Sequence, residues 1–279
     1  MSFDRGALEA LLPKNRLKSV GHYTKIGTLP FLLREPGTAL GKEWNSARAT
    51  GVRFLNDRQE FVLGHKEFVQ AAKLRTVSPG IQTEINNLVG MASGSGQDVY
   101  SISFSGACDE LGQWRGYADG GFGCCVVTDT QDVHKAADVA GWTFYKPSDR
   151  RKFANEVIDL LAGLSDPVAI RKTLQAAASF MKHEGFQPEK EFRLLVFEEK
   201  RKIEFRESTQ RVVPFTDVLS DNQLELPVKK VVVGPGWQIS SLSPGAQLGH
   251  HVISGIQRLL MARCRIWDVV PSKIPFDPR

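Results

Sequence analysis

The sequence has little cysteine, no long apolar run and no internal repeat, and each shortage removes a class of protein. Its four cysteines are Cys108, Cys124, Cys125 and Cys264, with no Cys-x-x-Cys pair among them. Cys124 and Cys125 are adjacent, so in an extended strand they point to opposite faces and cannot share one metal ion. No metal site is expected, and the thiols read as reduced, mostly buried groups. No apolar stretch nears the ~20 residues of a helical membrane span. The longest candidates, Val212–Val218 and Val228–Val233, have strand length. The opening Met1-Ser2-Phe3-Asp4-Arg5-Gly6 lacks the basic start and apolar run of a secretory signal. The expectation is a cytoplasmic protein with no membrane partner. No stretch rich in Pro, Gly or Ser splits the chain, so residues 1–279 read as a single domain.

The 279 residues are 42% hydrophobic and 24% charged, enough apolar surface for an ordinary core. The net charge of +5 suits an anionic partner, nucleic acid included, without demanding one. The densest basic run, Glu198-Glu199-Lys200-Arg201-Lys202, carries its own acids and reads as a solvated hairpin turn.

Apolar periodicity predicts helices around Leu8–Leu12, over Gly27–Leu33, along Phe61, His65, Phe68, Val69 and Ala72, and after Pro79. Two long helices follow, one over Ser148–Leu161 and one opening at Asp166-Pro167, where Asp caps and Pro fits the first turn. A last helix covers Pro244–Ala262, with Val252, Ile253, Ile256, Leu259 and Leu260 as its buried stripe. Met91–Gly96 reads as a flexible loop. Strands are expected at Val20–Thr24, Gly51–Leu55, Val99–Phe104, Gly123–Thr128, Trp142–Tyr145, Phe192–Phe197, Ile203–Arg206, Arg211–Phe215, Val228–Val233 and near Ile266. Helices and strands are segregated rather than alternating, which predicts an α+β fold with helical insertions near 58–92 and 148–183.

Four polar clusters interrupt this apolar pattern. Gly21-His22-Tyr23-Thr24 places an imidazole on the first strand, where a satisfied core histidine is the simpler account. Asn56-Asp57 with Glu60 has the form of a helix cap with first-turn support. Ser101, Ser103 and Ser105 would share one strand face, a row of hydroxyls suited to a polar pocket, followed by Gln113-Trp114-Arg115-Gly116-Tyr117. An Arg stacked on a surface aromatic is the alternative there. Glu189-Lys190-Glu191-Phe192-Arg193 opens a hydrophobic strand, with Glu191 and Arg193 on one face, either as a functional carboxylate or as an edge ion pair.

In this order, His-Tyr-Thr, Asn-Asp-x-x-Glu, Ser-Phe-Ser, Gln-Trp-Arg-x-Tyr and Glu-x-Glu-Phe-Arg resemble a widespread bacterial family of unknown function, from about Val20 to Phe276. Gly112 and Phe192 depart from that family's usual Ser and Trp. The family in turn resembles ADP-ribosyltransferases, including DNA-modifying toxins of toxin–antitoxin systems. The resemblance implies a split, mixed or antiparallel β-sheet that holds NAD as substrate, with no metal. His22 would hydrogen-bond the nicotinamide ribose, Ser103 or Ser105 would line the middle strand, and Glu191 would be the catalytic carboxylate with Glu189 upstream. Arg115 or Arg53 would hold the pyrophosphate, and Tyr23, Trp114 or Tyr117 would stack on a ring, beside Thr24. The partners so implied are NAD, a macromolecular acceptor such as nucleic acid or protein, and an antitoxin or inhibitor protein.

The chemistry suits these residue types. Cleaving the nicotinamide–ribose bond develops positive charge on the sugar, and a fixed carboxylate stabilises that charge more than the neutral ground state. Two other classes compete. One is a module that binds a nucleotide or nucleic acid without chemistry. The other is a metal-assisted nuclease using Asp57, Glu60 and Glu191, which lacks any compact acidic motif.

Overall fold

The structure, a computed structural model, describes residues 3–14, 17–32, 47–55, 60–90, 98–135, 137–208, 211–218, 228–237, 245–263 and 267–275. In chain order the elements are α1 (Arg5–Leu11), β1 (Ser19–Thr24), α2 (Leu29–Leu32), β2 (Arg48–Gly51), α3 (Glu60–Lys73), α4 (Pro79–Gly90), β3 (Val99–Ser105), α5 (Leu111–Tyr117), β4 (Cys124–Asp129), α6 (Thr130–His134) and β5 (Val139–Trp142). There follow α7 (Pro147–Leu161), α8 (Pro167–Ala178), β6 (Glu191–Phe197), β7 (Ile203–Ser208), β8 (Arg211–Asp217), β9 (Val228–Val233), α9 (Gly245–Ala262) and β10 (Asp268–Pro271). The fold is α+β, as expected, and its sheet is mixed: β9 and β10 run parallel, whereas β1–β4, β2–β3 and β7–β8 are antiparallel.

Backbone contacts divide the chain into two compact units: Met1–Asn15, Arg48–Ile102 and Ala137–Asp217 form the first, and Arg16–Ala47, Ser103–Ala136 and Val218–Arg279 the second. In the first unit β3 pairs with both β2 and β6, β6 pairs with β5, and β2 continues through β8 to β7. The two helical insertions meet in one layer, where α3 packs on α7 and α8, and α4 on α8. Gly64 allows this approach, because a Cβ there would lie 2.8 Å from that of Ala178. Phe68, Ile85, Phe153, Val157, Leu174 and Phe180 fill the layer against Val99, Val139 and Leu195 of the strands. The Asp166 cap expected from sequence is present: its carboxylate accepts from the Val168 N–H at 3.0 Å.

The second unit orders its strands β1–β4–β9–β10. Its core joins Tyr23, Trp114, Ala118, Cys125, Val127 and Val232. The stripe expected on α9 is borne out, with Ile256 and Leu260 buried and Val252, Ile253 and Leu259 half-buried.

Several sequence expectations need correction. The second strand ends where it was expected to begin: β2 covers Arg48–Gly51, and Val52–Phe54 turn into a single 3-10 turn. β5 occupies Val139–Trp142 rather than Trp142–Tyr145, because Val139–Trp142 pair with Phe192–Leu195 of β6. The basic run at Glu198 is not a hairpin. β6 pairs with β3 and β5, whereas β7 pairs with β8, so the run links strands that are not partners. The short final strand expected near Ile266 is present, at Asp268–Pro271. Asn56, Asp57, Met91–Gly96, Cys264 and Ile266 lie outside the described residues.

Candidate functional site

Glu191 opens β6 immediately after Lys190, whose left-handed backbone (φ 45°) ends the preceding 3-10 turn and turns the chain into the strand. Side chains alternate along a strand, so Glu191, Arg193 and Leu195 share a face. Leu195 and Val99 belong to one core cluster, and the Glu198 N–H donates to the Asp98 carbonyl at 3.2 Å where β6 meets β3. Glu191 and Arg193 therefore lie on the sheet face that carries Val99 and Ser101.

The carboxylate of Glu191 is buried, 4% exposed, and held by two cations. Its Oε1 accepts from Arg193 Nε at 2.8 Å; its Oε2 accepts from Arg193 Nη2 at 2.9 Å and from Lys182 Nζ at 3.0 Å. Lys182 also donates to Glu189 at 2.5 Å, which joins the two acids of the Glu-x-Glu motif through one ammonium. The bidentate geometry is the strong form of a charge-assisted pair. The exposed-edge ion pair weighed from sequence is replaced by a buried one.

Backbone contacts position this network. The Phe144 N–H donates to the Phe180 carbonyl at 2.7 Å and the Lys182 N–H to the Phe144 carbonyl at 2.9 Å, which lays the segment after α8 beside the chain just beyond β5. Arg150 of α7 donates to the carbonyls of Lys182 and Tyr145 and pairs with Glu67 at 3.5 Å. Arg193 Nη1 donates to the Ser179 carbonyl at 2.6 Å, and the Tyr145 hydroxyl accepts from the Glu191 N–H at 2.7 Å. Burial raises the Tyr145 phenol above its ordinary range. Sequence reasoning missed Lys182, Tyr145 and Arg150. The signal for Lys182 was a lysine closing the apolar run Ala176-Ala177-Ala178-Ser179-Phe180-Met181, where a charge survives only with partners.

Arg53, also in the first unit, pairs with Asp98 at 3.6 Å and faces the Phe61 ring at 5.8 Å. Burial lowers its pKa, with Asp98 opposing that shift.

The remaining residues singled out from sequence, His22, Tyr23, Thr24, Ser103, Ser105, Trp114, Arg115 and Tyr117, fall in the second unit. Ring nitrogen Nδ1 of His22 lies 2.9 Å from the Ser103 carbonyl, so it carries the proton and leaves Nε2 as the acceptor. Burial lowers the pKa of this imidazole, which tilts against Phe104 at 5.6 Å. Thr24 ends β1 opposite Cys124. Ser105 Oγ accepts from the Ala107 N–H at 3.1 Å.

Tyr23 and Trp114 meet edge to face at 4.8 Å inside the core, and Trp114 is fully buried. The Tyr23 hydroxyl donates to the Ala107 carbonyl at 2.6 Å and accepts from the Glu110 N–H at 3.1 Å. Asp109 ties this corner together, accepting from Trp114 Nε1 at 2.8 Å, Ser272 Oγ at 2.6 Å and the Lys273 N–H at 2.7 Å. Arg115 and Tyr117 are exposed. Cys125 hydrogen-bonds Cys108, which lowers the Cys108 thiol, whereas burial pushes the Cys124 thiol up to about 12.

Among the described residues no group of His, Cys, Asp and Glu could hold a metal ion, and no helix is long and apolar enough to cross a membrane. No curated protein and no solved structure matches the chain. Residues 113–194, which run from the Gln-Trp-Arg-x-Tyr motif through Glu191 and Arg193, match the model of a protein family of unknown function (DUF2971).

Proposed function

We propose that this protein is an NAD-consuming, ADP-ribosyltransferase-like enzyme that modifies a macromolecular acceptor, nucleic acid or protein. Such an activity fits a bacterial toxin or antiphage effector restrained by an antitoxin or inhibitor. The observation that carries the reading is the fixed carboxylate of Glu191, oriented by three charge-assisted hydrogen bonds and sharing a sheet face with Ser101. Ser101 Oγ is buried without a hydrogen-bond partner, an unsatisfied hydroxyl of the kind a sugar or phosphate oxygen would complete.

In the proposed step the ribose–nicotinamide bond breaks and its electron pair leaves with nicotinamide. A lone pair of the acceptor forms the new bond to the anomeric carbon, and the acceptor's proton passes to a base. Glu191 stabilises the positive charge that develops on the sugar; removing one such preorganised group typically lowers a rate about 100- to 1000-fold. The test incubates labelled NAD with the protein and with DNA, RNA or cell lysate. Label transfer with nicotinamide release is expected. Neither product across all acceptors refutes the proposal, and full activity of Glu191→Gln removes Glu191 from the step.

One observation favours a second reading, a nucleotide or nucleic-acid binding module without chemistry. Both oxygens of Glu191 are already engaged by Arg193 and Lys182. On that reading NAD or an oligonucleotide raises the Tm and is recovered unchanged.

A further inference from the structure

β2 and β7 flank β8 in the first unit, and the register brings Arg48 and Thr50 of β2, Phe215 of β8 and Ser101 of β3 onto one face. Glu204 and Arg206 of β7 stand on the same face, opposite Phe215 and Val213. Arg206 reaches across β8 to donate from Nη2 to Thr50 Oγ1 at 3.0 Å. Arg48 comes to the same place from the other side, its guanidinium carbon 4.7 Å from the centre of the Phe215 ring. The two cations are near enough that Arg48 lowers the pKa of Arg206, after the larger effect of burial. The two guanidiniums repel one another, and an anion bound between them would relieve that repulsion. The acid beside them, Glu204, is turned to Lys202, with which it forms a 2.8 Å ion pair. Asp217 is the register partner of Arg48 at the end of β8.

A second, separate observation lies on the same face. Ser101 stands directly across from Thr50, is 2% exposed, and its hydroxyl has no hydrogen-bond partner. A buried hydroxyl left unmatched loses its hydration without recompense, and a bound water, ion or ligand group is one way such a hydroxyl is satisfied.

We infer that Arg48, Arg206, Thr50 and Ser101 form a site for a phosphate group, with the guanidiniums clamping its oxygens and the hydroxyls completing their hydrogen bonds. Planar guanidinium forks match phosphate oxygens two at a time, and Phe215 holds one fork flat beneath the bound group. The phosphate comes from a free nucleotide or from a nucleic-acid backbone, and the two sources differ in salt dependence. Each backbone contact adds about 0.9 to the slope of log affinity against log salt for duplex and about 0.7 for single strands. The site does not depend on glycosyl transfer, and its test needs no turnover.

The experiment measures binding of inorganic pyrophosphate by calorimetry and of a labelled single-stranded oligonucleotide by anisotropy. It compares wild type with Arg206→Gln, Arg48→Gln, Arg206→Lys and Ser101→Ala, after confirming that each variant keeps the wild-type Tm within a few degrees. Either Gln variant is expected to weaken the bound probe about tenfold or more. Arg206→Lys should recover only part of that loss, because an ammonium lacks the fork. Loss confined to pyrophosphate identifies a nucleotide site. Loss confined to the oligonucleotide, with a salt slope reduced by about 0.7, identifies a backbone site. Binding of neither probe, or equal binding by wild type and both Gln variants, overturns the inference. A wild type that binds pyrophosphate but never consumes NAD would sink the enzymatic reading alone.

Discussion

Replacing Glu191 by Ala should be among the most damaging single substitutions in the first unit. The side chain is 4% exposed, and Arg193 beside it is 1% exposed. Removing the carboxylate deletes the 2.8 and 2.9 Å bonds to Arg193 and the 3.0 Å bond to Lys182, and leaves the guanidinium buried with only part of its partners. Breaking a buried pair from one side costs about 3–5 kcal/mol, against a total stability of about 5–15 kcal/mol. With a urea slope near 2 kcal/mol/M, the unfolding midpoint falls by roughly 1.5–2.5 M. Glu191→Gln costs less, because an amide oxygen still accepts one bond. Glu191→Leu combined with Arg193→Met removes both charges and should recover much of the loss, since apolar replacements of a buried pair are often near neutral. The double-mutant cycle should then give a coupling of about 2–3 kcal/mol, within the range for residues in direct contact. Hydrogen exchange of the β5–β6 amides reads the effect locally. Additivity within about 0.5 kcal/mol, or a loss below about 1 kcal/mol for Glu191→Ala, refutes the buried network.

Three further outcomes follow from the geometry. Because burial lowers the folded pKa of His22 below its ordinary 6.5, folding favours the neutral ring. The unfolded chain therefore binds the extra proton first: stability is full above pH 6.5 and falls as pH drops from there to the folded value, by at most about 1.4 kcal/mol per pH unit. His22→Gln should flatten that part of a Tm-against-pH curve, and an unchanged slope would show that His22 protonates freely when folded. Gly64→Ala raises helix propensity by about 1 kcal/mol yet should destabilise by about 1–3 kcal/mol, because its Cβ meets Ala178 at 2.8 Å; a raised Tm contradicts the close packing of α3 on α8. Brief alkylation near pH 8 should label Cys108 ahead of Cys124 and Cys125, since Cys108 is half-buried with a lowered pKa and the other two are buried with raised ones. Mass spectrometry of the peptides checks this, and equal labelling of the three counts against it.

Local patterns made most of the elements legible. The three- and four-residue spacing through Phe61, Phe68 and Ala72 marks α3, and the Asp-Pro start marks α8, because these signals depend on neighbours along the chain. β2 departs from its local pattern for the opposite reason. Gly51–Leu55 is apolar enough for a strand, but the chain pairs where β8 and β3 offer partners, at Arg48–Gly51. The same holds for β5, whose bounds are set by β6, and for the Glu198 run, which only strand pairing shows not to be a hairpin.

By itself the sequence determined the α+β class, the helices with their caps and stripes, and the alternation that sets Glu191 and Arg193 on one face. Those properties follow from torsional preference and from periods of 3.6 and 2 residues, which need no distant partner. Only the tertiary structure decided that this pair is buried, that Lys182 bridges Glu189 and Glu191, and that Arg206 crosses a strand to Thr50. Each of these joins segments whose meeting depends on sheet register and helix packing, and the spacing of residues along a chain does not encode which strands will become neighbours.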